Sequence, residues 1–194
     1  MRSRRYFSDR IKGIIESSIS TKRSLLDTQS GEIEQAASAI ISAVKKGGKL
    51  IVFGNGGSAA DSQHIVAELV GRFQKERMAI PAIALTTNTS SLTAIANDYG
   101  YDVSFSRQLE ALAKKGDVAL GISTSGNAKN VIEAAKKAKG LGLTVIGLTG
   151  GRGGRIARIA DINIAVPSDV TARIQESHIL IGHILCELVE ESAG

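Results

Sequence analysis

The sequence has few of the residues that staple or stiffen small proteins: one cysteine, two prolines and 4% aromatics among 194 residues. A lone Cys186 cannot close an intrachain disulfide, which excludes a disulfide-knotted fold and points to a reducing cytoplasm. It lies in an apolar helical run and reads as a small buried core residue. No window approaches the roughly 18 uninterrupted apolar residues of a membrane span. Repeats, low-complexity tracts and interdomain linkers are missing too, and Pro81 and Pro167 both fall at strand edges, so nothing divides the chain.

Charge of one sign is only mildly in excess. Lys plus Arg at 24 against Asp plus Glu at 19 gives +5, which favours anionic small molecules but lacks the dense basic face of a nucleic-acid binder. Part of that excess is Arg2, Arg4, Arg5, Arg10 and Lys12. The string Ser3-Arg4-Arg5-Tyr6-Phe7 has the outline of a twin-arginine export signal, but the apolar region that export requires is replaced by Ser8-Asp9-Arg10-Ile11-Lys12-Gly13. What the composition does supply is 43% apolar residues, enough core for a single domain over 1–194 and incompatible with disorder or collagen.

Residues 1–48 carry apolar positions at helical spacing in two groups: Ile11, Ile14, Ile15, Ile19, Leu25 and Leu26, then Ile33, Ala36, Ala37, Ile40, Ile41 and Val44. Two N-terminal helices are expected, the second ending at Lys45-Lys46-Gly47-Gly48. From 49 to 194 the pattern changes to short apolar runs: Leu50 to Phe53, Ile80 to Leu85, Val118 to Ile122, Thr144 to Leu148 and Ile162 to Val166. Runs without alternation are strands covered on both faces, and helices between them imply parallel neighbours joined by crossovers. The fold class is α/β, a single doubly wound five-stranded parallel sheet flanked by helices, with an N-terminal helical extension. A last helix, about Ala172 to Glu191, is apolar on more than one face. With the first segment's spare apolar stripe, it suggests contacts between subunits.

In an open parallel sheet, ligands lie beyond the carboxyl ends of the strands. After the first strand comes Gly54-Asn55-Gly56-Gly57-Ser58-Ala59-Ala60-Asp61, and after the third comes Ser123-Thr124-Ser125-Gly126-Asn127, each leading into a helix. Small residues, hydroxyls and helical N–H groups together suit a phosphate. Ordinary helix capping by Ser, Thr or Asn is the competing reading of each loop. A dinucleotide fingerprint is disfavoured, because Thr86-Thr87-Asn88 stands where an acidic ribose partner belongs. No Gly-Lys-Ser/Thr follows either loop, and Gly121-Ile122-Ser123-Thr124-Ser125 lacks the final glycine of a hydrolase elbow.

The chain has three histidines, His64, His178 and His183. His64 and Glu68, four apart, lie about 40° apart on one helix face, and Gln175 and His183, eight apart, lie about 80° apart on another, with His178 turned about 140° from His183. Two histidines and a carboxylate near a phosphate loop can hold zinc or a similar divalent ion, although a surface pair and a core histidine would show the same spacing. It is not the His-Glu-x-x-His of a metalloprotease.

Gly54-Asn55-Gly56-Gly57-Ser58-Ala59-Ala60-Asp61-Ser62-Gln63-His64, the stretch from Leu85-Thr86-Thr87 to Ala96-Asn97-Asp98-Tyr99-Gly100-Tyr101, Ser123-Thr124-Ser125-Gly126-Asn127 and Arg173-Ile174-Gln175-Glu176-Ser177-His178 together resemble the phosphoheptose (sedoheptulose 7-phosphate) isomerase family. The resemblance spans essentially the whole chain. It implies a sugar-isomerase (SIS) phosphosugar-binding, flavodoxin-like fold. It also implies a cytoplasmic homotetramer without nucleic-acid or membrane partners. The activity it implies is conversion of sedoheptulose 7-phosphate to D-glycero-D-manno-heptose 7-phosphate through an enediol(ate), at the start of ADP- or GDP-heptose biosynthesis for lipopolysaccharide and related polymers.

By similarity His64, Glu68, Gln175 and His183 hold one Zn(2+) per subunit, and Glu68 and His183 are the catalytic proton-transfer pair. Asn55, Gly56, Gly57, Glu68, Asn97, Asp98, Ser123, Thr124, Ser125 and Gln175 bind substrate. Ala128 departs from the family, many of whose members carry serine there, so one hydroxyl is missing from the phosphate cradle. A relative that binds the replication initiator DnaA shares the fold but resembles an isomerase stripped of catalytic side chains, so Glu68 and His183 favour the enzyme over that alternative.

Overall fold

The structure is a computed structural model describing residues 4–192, so Met1, Arg2 and Ser3 of the basic N-terminal string lie outside it. The five apolar runs become strands β1 (Leu50–Gly54), β2 (Ala82–Ala84), β3 (Val118–Ser123), β4 (Thr144–Gly150) and β5 (Ile162–Val166). They form one all-parallel sheet in the order β2-β1-β3-β4-β5. Around them run helices α1 (Arg4–Lys45), α2 (Gly57–Val70), α3 (Thr89–Tyr99), α4 (Ser104–Leu112), α5 (Lys129–Gly140) and α6 (Thr171–Ser192). The chain leaves β1 toward β2 and leaves β3 in the opposite direction toward β4, so the switch point of the sheet lies between β1 and β3.

Alternate strand residues feed two separate cores. Leu50, Val52, Leu120, Ile122, Ile146 and Leu148 pack with α1, α2 and α6. Ile51, Phe53, Ala119 and Val145 pack with α4 and α5. Pleating sends neighbours to opposite faces, and both faces are covered, which is why the runs show no polar alternation. On the second face Phe53 and Phe105 meet with centroids 5.5 Å apart and planes 36° from parallel, a pairing worth about 0.5–1.5 kcal/mol beyond burial.

The N-terminal segment differs from expectation. It is one continuous helix of 42 residues, not two. The polar run Asp27-Thr28-Gln29-Ser30-Gly31 holds no proline, and its hydroxyls bond back into the helix, Thr28 Oγ1 to Ser24 O at 2.7 Å and Ser30 Oγ to Leu26 O. Gln29 Oε1 also accepts the Ala165 N–H of edge strand β5 at 2.8 Å, so a tertiary bond holds the stretch in register and covers part of that edge.

Two carboxylates, one buried and one exposed, fix the entries to two strands. Asp117, before β3, accepts Lys49 N, Lys49 Nζ and Lys114 N at 3.0, 2.6 and 2.8 Å. Asp161, before β5, accepts Val145 N and Lys139 Nζ, each at 2.8 Å. Burial works against both charges, and these donors outweigh it, leaving both carboxyls below the usual carboxylate range.

His178 is fully buried beneath β4, its Nε2–H donating to Thr149 O at 3.0 Å while Nδ1 has no partner. Burial pushes its pKa from 6.5 to about 4, against the smaller opposing effect of the Thr149 bond. The unfolded chain takes a proton at about 6.5 and the folded one resists it, so stability is intact above pH 6.5 and declines as pH falls toward 4. The full loss is about 3 kcal/mol. In urea unfolding between pH 7.5 and 4.5, His178→Asn should show a correspondingly flatter pH dependence; parallel profiles for the two proteins would contradict this.

Candidate active site

Helices α2 and α6 run side by side in the same direction. Gly182 has no Cβ because one would lie 2.8 Å from Ile65 Cγ1, and Cys186 Sγ donates to Ile65 O at 3.7 Å. Desolvation pushes the Cys186 thiol up to about 12, so it is a packing group with no thiolate chemistry. This close approach carries His64 and Glu68 of α2 up to His183 of α6. His64 Nε2 stands 3.2 Å from Glu68 Oε1 and 3.0 Å from His183 Nε2.

That constellation is electrostatically incomplete as protein alone. An imidazole nitrogen carries at most one hydrogen, so His64 Nε2 offers its two neighbours either one shared N–H or a lone pair that faces the Glu68 carboxylate with no hydrogen between them. A cation accepting all three lone pairs removes the conflict, and imidazole with carboxylate is a donor set that suits zinc. Among the described residues, no three His, Cys, Asp or Glu side chains are already arranged around a metal position. Asp61, one turn before His64, has an Oδ2 that is buried without a partner. Burial raises its pKa, and His64 and His183 oppose the rise.

The loops after β1 and β3 flank the switch point. Gly56, at the N-terminus of α2, has φ +56°, and Ala128 occupies the same place on α5; neither helix receives a side-chain cap. Asn88, by contrast, caps α3 through Ser91 N at 2.9 Å. Capping of α5 therefore does not account for the hydroxyls of Ser123 and Thr124, whereas Ser125 Oγ accepts Asn127 N–H at 3.2 Å within its own loop. Gly126 and Gly154 interlock the β3 loop with the loop after β4: a Cβ on Gly126 would lie 2.0 Å from Gly153 O. Between these loops and the start of α6 lies a cavity of about 420 Å³ lined by Thr124, Ser125, Arg152, Ser168 and Asp169, among others.

A SIS domain model matches residues 15–150. The chain is 55% identical over 183 residues to the phosphoheptose isomerase of Aquifex aeolicus, covering 94% of this chain and 96% of that one. It is 59% identical over 169 residues to a probable phosphoheptose isomerase of Thermoplasma acidophilum, covering 87% and 93%. The solved phosphoheptose isomerase GmhA of Neisseria gonorrhoeae superposes with a TM-score of 0.91 at 45% identity, covering 95% of this chain and 99% of that one. The chain belongs to the phosphoheptose isomerase family of SIS-domain enzymes. The initiator-binding alternative has no support in these relatives.

Within this family frame, Gln175 lies two turns before His183 on α6 with its amide against Gly57, where a Cβ would meet Nε2 at 2.5 Å. Asn55 is braced on three sides: it exchanges amide bonds of 2.9 Å with Asn130 in both directions, and Tyr101 Oη donates to its Oδ1 at 3.0 Å. One hydrogen of its Nδ2 remains for a ligand. Asn97 Nδ2 donates to Asp98 Oδ1 at 2.8 Å, and both are exposed at the end of α3. The structure thus unites His64, Glu68 and His183 directly, sets Gln175 on the Gly57 backbone, and shows Asn97 and Asp98 in contact with each other. Sequence reasoning passed over Asp61, Asn130, Tyr101 and Phe73, whose ring stacks on His183 at 5.4 Å and 28°. The spacing of Asp61, His64 and Glu68 on one helix face could have found the first, and no local signal marks the others.

Gly126→Ala combines a left-handed φ of +64° with a backbone clash. It should cost at least about 2 kcal/mol and weaken phosphosugar binding, read by thermal unfolding and by the Michaelis constant. Wild-type values in both would show that the interlocked loops are not needed.

Proposed function

We propose that the chain converts sedoheptulose 7-phosphate to D-glycero-D-manno-heptose 7-phosphate, opening a route to nucleotide-activated heptose. The carrying observation is the meeting of Glu68, His64 and His183 from helices far apart in sequence, beside two loops whose helices lack side-chain caps. The phosphate sits on the N–H groups and hydroxyls of the Ser123-Thr124-Ser125 loop, with Asn55, Gly56 and Gly57 on the opposite side of the switch point. Asn97, Asp98 and Gln175 complete the sugar contacts. Ala128 offers no side-chain hydroxyl, so the N–H groups at the start of α5 other than Val131 N–H, which Asn130 Oδ1 accepts at 3.0 Å, are left to the ligand.

Glu68 removes the proton from the carbon beside the carbonyl and returns it to the neighbouring carbon, passing through a cis-enediol(ate). His183 moves the accompanying proton between the two oxygens and assists ring opening. Asp61, whose pKa burial raises against the opposing pull of His64 and His183, lies one turn before His64 on the same helix. His64, Glu68, Gln175 and His183 are the residues that would hold a zinc ion, which when bound supplies electrostatic stabilisation of a developing oxyanion.

The same proposal makes the enzyme a cytoplasmic homotetramer. On α1 the residues Phe7, Ile11, Ile14, Ile15 and Ile19 are 41–58% exposed, and an apolar groove of about 290 Å³ lies between α1 and α6, lined by Leu25, Leu26, Leu180, Ile184 and Leu188. A contiguous apolar surface of this kind is what copies of one chain bury against each other. Among the described residues no helix is long and apolar enough to cross a membrane.

In a coupled assay with sedoheptulose 7-phosphate, Glu68→Gln should lose at least about 10²- to 10⁴-fold in turnover. Near-normal turnover would remove Glu68 as the base. Thr124→Ala should raise the Michaelis constant more than it changes turnover, as expected for a contact made equally in ground and transition states. Chelation should abolish activity and added zinc restore it, and light scattering should return four times the chain mass. Unchanged activity after the metal is stripped would retire zinc from the site.

A further inference from the structure

After α2 the chain crosses the end of α6 as an irregular strap, residues 71–80, held by two buried charges. Glu190, 2% exposed, accepts Phe73 N at 3.0 Å on Oε1, and Gln74 N and Lys75 N at 2.8 and 2.9 Å on Oε2. Burial opposes its ionisation, but these three N–H donors and Arg77 hold its carboxyl below the usual range. Arg77, whose side chain is 3% exposed, sets Nε 3.2 Å from Glu190 Oε1 as an ion pair without an aligned hydrogen bond. Its Nη1 donates to Leu69 O and Gly71 O at 2.8 and 2.9 Å, and its Nη2 donates to Glu68 O at 2.8 Å. The guanidinium therefore closes the carbonyl end of the helix that carries His64 and Glu68.

A buried ion pair is a weak source of net stability against an apolar replacement, so its usefulness here lies in fixing one path for a segment with no ladder of its own. That path lays the Phe73 ring on His183, 5.4 Å between centroids and 28° from parallel, while His64 stands 5.0 Å away with planes at 51°. His183 thus has the Phe73 ring stacked on it and the His64 Nε2 at its own Nε2. Its Nε2 points at His64 only while the ring keeps this orientation.

We propose that Phe73 is a positioning residue for the isomerisation, and that Glu190 and Arg77 clamp the strap so that its ring keeps His183 from turning about its Cβ–Cγ bond. This rests on the reading of His183 as a proton-transfer group. Misplacing a reacting group by about 1 Å can cost on the order of 10²-fold. Phe73 is half-buried and packs against the edge of the first core, so Phe73→Leu keeps an apolar side chain there while removing the aromatic ring.

Phe73→Leu should lower kcat by about tenfold to a hundredfold, with KM for sedoheptulose 7-phosphate within about twofold of wild type. Phe73→Tyr should restore most of the loss. In NMR spectra the His183 ring-proton resonances should move downfield in Phe73→Leu as the stacked ring is lost, and return in Phe73→Tyr. Glu190→Gln should reproduce the kcat loss, and if it does not fold the Phe73 pair decides alone. Wild-type kcat in Phe73→Leu overturns the proposal, as does a kcat loss with His183 resonances unmoved. His183→Gln, measured alongside, separates the two readings. If it is inactive while Phe73→Leu is fully active, only the positioning role falls. If it retains turnover, the proton-transfer role falls and the positioning role with it.

Discussion

The site depends on how closely α2 and α6 pack. Three contacts set their spacing in sequence order: Gly57 under the Gln175 amide, Gly182 against Ile65, and Cys186 on the Ile65 carbonyl. A Cβ at either glycine would force the helices or their side chains apart. At that separation His64 and His183 touch nitrogen to nitrogen, and a small increase would replace the contact with water. Close packing tolerates little adjustment of this kind, so the two small residues fix where the chemistry can occur.

The sheet supplies the second coordinate. Because all five strands are parallel, every strand end that opens into a functional loop lies on the same edge, and the divergence of the chain at β1 and β3 leaves a crevice there. The loops bordering that crevice are fixed by different means. The β3 loop interlocks with the β4 loop through glycines that no side chain could replace, while the β1 loop is braced by the amide pair of Asn55 and Asn130 and by Tyr101. Rigid walls of this kind present a ligand with donors already in place, which lowers the ordering cost of binding.

The strands, their parallel pairing and both loops were legible in local patterns, because a fully buried strand must be apolar throughout and a tight turn from strand into helix favours small and polar residues. The DTQSG stretch of α1 was misleading for the same reason: a polar, glycine-bearing run has the composition of a turn, and it continues the helix between the buried Leu25 and Ile33 with Gln29 bonded to β5. His178 and His183 lie on one helix, yet one is a buried neutral ring under β4 and the other faces His64. Helical spacing separated their directions and could not say what stood opposite either one.

By itself the sequence determined the class of fold, the small polar loops after β1 and β3, and the helix faces carrying His64 with Glu68 and Gln175 with His183, since each follows from a pattern within a single element. Only the tertiary structure decided that α2 and α6 meet, that the Asp61 Oδ2 on α2 is buried, and that the strap after α2 brings Phe73 onto His183. Those are contacts between segments separated by many tens of residues, and no local repeat encodes a distance across the core.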